Sequence, residues 1–189
     1  MYRALTWWFM TEAVEVGDAV LVAARAAEPS IEVSTDPDDP WTRINGRDVS
    51  HDIRTKEVSA QVSAVARVPA VREHLIRQMR EIITAASQGI VAEGRDIGTV
   101  VAPAAQLKVF LTADPSARAR RRAAELRADA GETEAAQARR DRLDAAQSEK
   151  AADALLLDAT DLTLDEVIGE IARLARQRSL LVCAGDKSS

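Results

Sequence analysis

The 189 residues carry a formal net charge of −5, 47% hydrophobic content and one cysteine, Cys183, which suits a globular domain and argues against a general polyanion binder, whose balance is ordinarily basic. Cys183 has no second cysteine for a disulfide and no neighbouring metal-ligating side chains, no run of about 18 apolar residues offers a membrane span, and MYRALTWWFM lacks the basic start and cleavage site of a secretory leader. A soluble cytoplasmic protein without nucleic-acid or membrane partners is therefore expected.

In chain order, RALTWWFMTEAVEV reads as a helix with Leu5, Trp8, Phe9 and Ala13 on one face, stopped near Gly17, and Asp18 caps a second helix, AVLVAARAA. From Ile31 the pattern changes to short β pieces, IEVST, WTRI and RDV, the last two joined by Asn45-Gly46, the strongest short hairpin signal. Thr55 caps a helix to about Arg67, and Pro69 fits the first turn of another that runs toward Gly89. Beyond it, GIVAEG, LKVFLTA and DALLLDA read as apolar strands. Asp114-Pro115 opens an arginine-rich helix, and Thr163 with Glu166 forms a capping box for the last one. AGETEAAQA, between Ala130 and Ala138, reads as a mobile loop, and the segment after about Ser179 as a loosely held tail. Continuous apolar strands separated by helices indicate an α/β fold with a parallel sheet covered on both faces.

The charge is unevenly spread. Residues 118 to 142 hold eight arginines against five acids, and 21 of the 25 basic residues are arginine. The guanidinium fork grips phosphate bidentately, which suits a small phosphorylated ligand, although high-GC coding gives the same count. In open parallel sheets ligands bind beyond the carboxyl ends of strands, so the residues after GIVAEG stand out. Gly94 permits a close turn, Arg95 can fork onto a phosphate, and Asp96 offers acceptors to an amino group. A surface ion pair and a turn cap are the plain alternative for Arg95 and Asp96.

The string VAEGRDIGTVV is accompanied, in order, by an opening Met1-Tyr2-Arg3-Ala4-Leu5, by VSHDIRTKEVSAQVSAVARVPAVREHL and LKVFLTADPSARARRR, and by RRDRLD and AADALLLDAT. Together these resemble the bacterial-type cytidylate kinases over nearly the whole chain. The resemblance implies a single P-loop-kinase-like α/β domain, its parallel sheet flanked by helices. Within it fall a small β-containing nucleoside-monophosphate-binding insert at 28–72, a lid region at 115–145 and a loose tail at 180–189. It also implies a monomer that transfers the γ-phosphoryl group of ATP, carried with Mg2+, to CMP or dCMP.

Position by position, the resemblance places Ser63, Arg72 and Asp96 at the cytosine edge, Tyr2, Arg3 and Arg95 near the acceptor phosphate, and Arg140 and Asp144 near the ribose and phosphates. Arg118, Arg121 and Arg122 become candidates to close over the transferring group, with Arg95 beside them in the catalytic set. For each helical arginine, a solvated face paired i to i+4 with an acid is the competing reading. His51 and His74 have no neighbours that suggest nucleophilic or metal chemistry, and no metal-ligating set is expected.

The sequence also departs from the family pattern. Gln147 stands where an arginine is usual, and the lid region is short. No G-x-x-x-x-G-K-[ST] phosphate loop occurs; Gly89 and Gly94 have its glycine spacing, but Arg95-Asp96 follows where Lys-Ser/Thr is required. The expectation is a chain missing the first strand, phosphate loop and first helix, roughly 30 residues of a βαβ unit, and inactive alone. An internal methionine taken as the start, or a shortened gene, accounts for it. A noncatalytic CMP-binding or regulatory remnant is the principal alternative, and an RNA-binding arginine helix a weaker one.

Overall fold

The structure, a computed structural model, describes residues 1–87, 89–126 and 149–185. The chain divides into two compact units, 1–92 and 93–189; residues 28–72, which the resemblance makes an insert, fall in the first.

The first unit is built on helix α1 (Tyr2–Thr11). Leu5, Trp8 and Phe9 recur at helical spacing, and all three are buried together with Ala4, as the apolar stripe requires. Ala13 does not join that face. It adopts φ 53°, its N–H bonds Met10 O and the Val14 N–H bonds Phe9 O. That is a Schellman end with alanine in the left-handed seat usually given to glycine. Helix α1 therefore stops at Thr11 rather than near Gly17, and the turned chain sends Val14 and Val16 into the core. Asp18 accepts from the N–H groups of Val20 and Leu21, capping α2 (Ala19–Arg25).

Strands β1 (Ile31–Val33), β2 (Thr42–Ile44) and β3 (Arg47–Asp48) form an antiparallel sheet in that order. Ile31 opposes Ile44, and both are buried. Asn45 and Gly46 both take positive φ, 49° and 78°, as the two-residue hairpin demands. A short 3-10 turn (Asp52–Arg54) leads to α3 (Lys56–Ala66), capped by Thr55, and then α4 (Pro69–Ala85) begins with proline at its head. Three guanidiniums stack on the three tryptophans: Arg25 on Trp8, Arg47 on Trp7 and, closest at 4.2 Å, Arg43 on Trp41.

The second unit is organised on a parallel pair, β4 (Val109–Thr112) beside β5 (Leu155–Asp158), in register Val109 to Leu155. Helix α5 (Pro115–Leu126) follows β4 and α6 (Leu164–Gly185) follows β5. The predicted capping box forms: the Thr163 N–H and hydroxyl both donate to Glu166, whose N–H returns to the Thr163 hydroxyl. Helix α6 continues through Gly185, past Ser179, where the sequence suggests a loose tail. The loop expected at 130–138 lies outside the described residues.

One expectation fails here. GIVAEG is not a strand; an apolar run becomes one only when its backbone finds a neighbour, and among the described residues no strand pairs with it, with Val91 left 94% exposed. The parallel pairing of β4 and β5 among helices is the expected α/β arrangement, with Leu111 and Leu156 54% and 62% exposed.

Because Phe9 is fully buried, Phe9→Ala is expected to lower the unfolding free energy by about 3–5 kcal/mol. Asp18→Ala, which removes a cap from a short helix, is expected to cost about 1 kcal/mol. Urea titration of both variants checks the order of the two effects.

Candidate functional site

In the first unit the head of α1 carries Tyr2 and Arg3. Arg3 Nη1 donates to Ile53 O at 2.7 Å and to Ser59 Oγ at 3.0 Å, tying α1 to the 3-10 turn and to the start of α3. Ser59 Oγ in turn donates to Thr55 O. Ser63 lies one helical turn beyond Ser59, on the same face of α3, and is buried. Its carbonyl accepts from Arg67 Nε. Arg72 sits in the opening turn of α4, half-buried beside Val71, which is fully buried.

Ser59 is absent from the sequence expectations. Its one signal is the i, i+4 spacing to Ser63 on a helix whose face the arginine must reach.

In the second unit, Glu93 to Arg95 are exposed, yet Asp96 is buried at 6% exposure. What holds it is a π-helical turn, Ile97–Val101. The Asp96 carbonyl accepts from the N–H groups of Val100 at 2.8 Å and Val101 at 3.2 Å and from the Thr99 hydroxyl. Ile97 folds back on Gly94, where an added Cβ would lie 2.9 Å from Ile97 Cγ1. The glycine is needed there for close approach. Wide turns of this kind are found at functional sites more often than elsewhere.

The carboxyl ends of β4 and β5 form a second cluster. The Asp158 carboxylate accepts from the hydroxyl and N–H of Thr160, which hold it below the usual carboxylate range, the hydroxyl contributing most. The Thr160 hydroxyl also accepts from the Asp114 N–H. Arg118 Nε donates to Ala113 O at 3.2 Å. Arg121 Nη2 donates to the carbonyls of Ala159, Thr160 and Leu162, so that nitrogen binds α5 to the loop after β5. Sequence reasoning groups Arg121 with the phosphate-closing arginines and gives no sign of these carbonyl partners, 38 to 41 residues away.

The structure thus places Tyr2, Arg3, Ser63 and Arg72 in the first unit and Arg95, Asp96, Arg118 and Arg121 in the second. Arg140, Asp144 and Gln147 lie outside the described residues, as does the side chain of Arg122. Among the described residues no group of three or more His, Cys, Asp or Glu side chains gathers into a cation site, and no helix is long and apolar enough to cross a membrane.

The family model for cytidylate kinase matches residues 1–177. The chain is 44% identical over 182 residues to a cytidylate kinase of Streptomyces avermitilis, covering 94% of this chain and 79% of that one. It is 48% identical over 172 residues to a cytidylate kinase of Streptomyces griseus, covering 88% and 74% respectively. A bifunctional pantoate ligase/cytidylate kinase of Synechococcus elongatus is 39% identical over 202 residues, covering the whole of this chain and 37% of the relative. A buried aspartate after GR, an arginine anchored at the head of α1 and a matched length of 177 residues lead to one assignment: the chain belongs to the cytidylate kinase family.

Proposed function

We propose that this chain holds the acceptor nucleotide, CMP or dCMP, for transfer of the γ-phosphoryl group of MgATP, giving CDP or dCDP. The observation that carries the reading is the burial of Asp96 directly after three exposed residues, Glu93 to Arg95. Cytosine presents an amino donor at N4 where uracil presents a carbonyl acceptor. A buried carboxylate accepts from the first and repels the second, and leaving such a group unpaired is what makes discrimination large. Ser63 and Arg72 complete the cytosine edge on this reading. Tyr2, Arg3 and Arg95 serve the acceptor phosphate, and Arg140 and Asp144 the ribose and phosphates.

The nucleophile is a phosphate oxygen already ionised at neutral pH, so no general base is required. Catalysis consists of holding two polyanions in line while cations offset the charge on the equatorial oxygens. Arg95 and the arginines at 118 and 122 are our candidates for that role. Arg121 is a weaker one, because one of its nitrogens already faces three carbonyls. The enzyme works, on this reading, as a monomer in the cytoplasm.

One observation favours a second reading. The 189 residues contain no G-x-x-x-x-G-K-[ST], so a CMP-binding protein without ATP chemistry, a regulatory remnant of such a kinase, is the alternative. In-frame DNA upstream of Met1 separates the two: a phosphate-loop codon string supports the kinase, and a stop codon supports the remnant.

The polypeptide 1–189 is expected to bind CMP in calorimetry, with UMP, AMP and ATP much weaker. Asp96→Asn is expected to weaken CMP binding by about 10- to 100-fold, the worth of one charge-assisted hydrogen bond. Equal CMP affinity in that variant sinks the reading. The same polypeptide is expected to form no measurable CDP from CMP and MgATP, and turnover typical of a kinase, about 1–100 per second, would overturn that expectation.

A further inference from the structure

The π-helical turn that presents Asp96 needs something behind it, and the structure supplies it from a residue no comparison singles out. Lys108 precedes β4. Its side chain is only 8% exposed, unusual for lysine, which is almost never buried unless paired. The ammonium donates to both carboxylate oxygens of Asp153, at 2.9 and 2.8 Å, and to the carbonyl of Pro103. The Asp153 carboxyl is held below its usual range, first by that hydrogen bond. The Lys108 carbonyl accepts from the Leu155 N–H at 2.9 Å, where the parallel ladder of β4 and β5 begins. Lys108 is therefore fixed at both ends, by its backbone to the sheet and by its ammonium to the flanking loops.

Between those fixed points its methylene stem faces Gly98, the second residue of the turn, on the side where a side chain would project. A Cβ placed on Gly98 would meet Lys108 Cδ at 3.4 Å, Lys108 Cγ at 3.7 Å and Ala151 Cβ at 3.9 Å. The turn thus faces an aliphatic stem at Gly98, and its own Ile97 folds onto Gly94. Its first carbonyl, that of Asp96, takes the N–H groups of Val100 and Val101. Moving Gly98 moves those N–H groups and with them the aspartate.

We propose that Lys108 is a positioning residue for nucleobase selection: its pinned stem braces the Ile97–Val101 turn at Gly98 and so fixes where Asp96 meets the base. The proposal rests on the reading of Asp96 as the group that recognises a cytosine amino edge. Lys108 itself touches no nucleotide. Its contribution appears as a preference for CMP over UMP, because misplacing a discriminating group by about 1 Å is enough to cost orders of magnitude.

The test uses polypeptide 1–189 with three substitutions: Lys108→Met, which keeps the stem and removes the pin, Lys108→Ala, which removes both, and Lys150→Met as an exposed control. Calorimetry gives the CMP/UMP affinity ratio, and hydrogen exchange gives protection of the Val100 and Val101 amides without any ligand. The ratio is expected to fall about tenfold in Lys108→Met and further in Lys108→Ala, with amide protection falling in the same order and the control unchanged. If Lys108→Ala fails to fold, Lys108→Met decides alone. Wild-type ratio, wild-type protection, or lost protection with an unchanged ratio each overturns the proposal. Wild-type polypeptide that binds neither CMP nor UMP instead overturns the cytosine reading on which it rests. Unchanged amide protection in Lys108→Met then refutes the brace separately.

Discussion

A residue that leaves water directly after an exposed run must be held there by the backbone around it. In this chain that constraint falls on Asp96, the buried residue in a stretch whose preceding three residues are exposed. The backbone meets it by winding five residues into a wide turn around the aspartate's own carbonyl. Glycine at 94 allows Ile97 to close on it, where an added Cβ would lie 2.9 Å away, and at Gly98 the turn faces a lysine stem. Neither glycine has positive φ, and only Gly94 is there for approach distance, since a Cβ at 98 would meet its neighbours at ordinary contact.

The same economy governs the arginines. A guanidinium is read from sequence as a phosphate ligand because its donors fork, but backbone carbonyls also accept from it. Arg3 and Arg121 illustrate the difference that context makes. Arg3 joins three elements at the head of α1, with one nitrogen on a carbonyl and a serine hydroxyl. Arg121 gathers three carbonyls of one loop and so fastens α5 to the end of β5. Both tie parts of the scaffold together whatever else their remaining nitrogens do. A cluster of arginines in a sequence is thus a mixture of binding and fastening groups, and only the partners sort them.

Local chemistry made much of the fold legible. Asp18, Thr55 and Thr163 cap the helices they precede, Pro69 opens α4, and Asn45-Gly46 makes its hairpin, because each of these signals acts within a few residues of itself. What the sequence obscured depends on distant or absent neighbours. GIVAEG has the composition of a strand, but no described strand pairs with it. Helix α1 ends early because an alanine accepts a left-handed conformation that its side chain does not advertise. At the site, the motif around Asp96 was readable as a string, whereas Ser59 behind Arg3 and Lys108 behind Gly98 were not. Each supports a named residue through a contact nearly invisible in linear order.

The stacking of arginines on tryptophans has an optical consequence. All three tryptophans of the chain, Trp7, Trp8 and Trp41, fall within the first unit, and each lies beneath a guanidinium. Intrinsic indole emission therefore originates wholly from residues 1–92, and the second unit is dark at those wavelengths. A fluorescence trace recorded during a titration or a melt follows the surroundings of three stacked rings in one half of the molecule, and loss of structure around Asp96 alone would pass without a direct spectral signal.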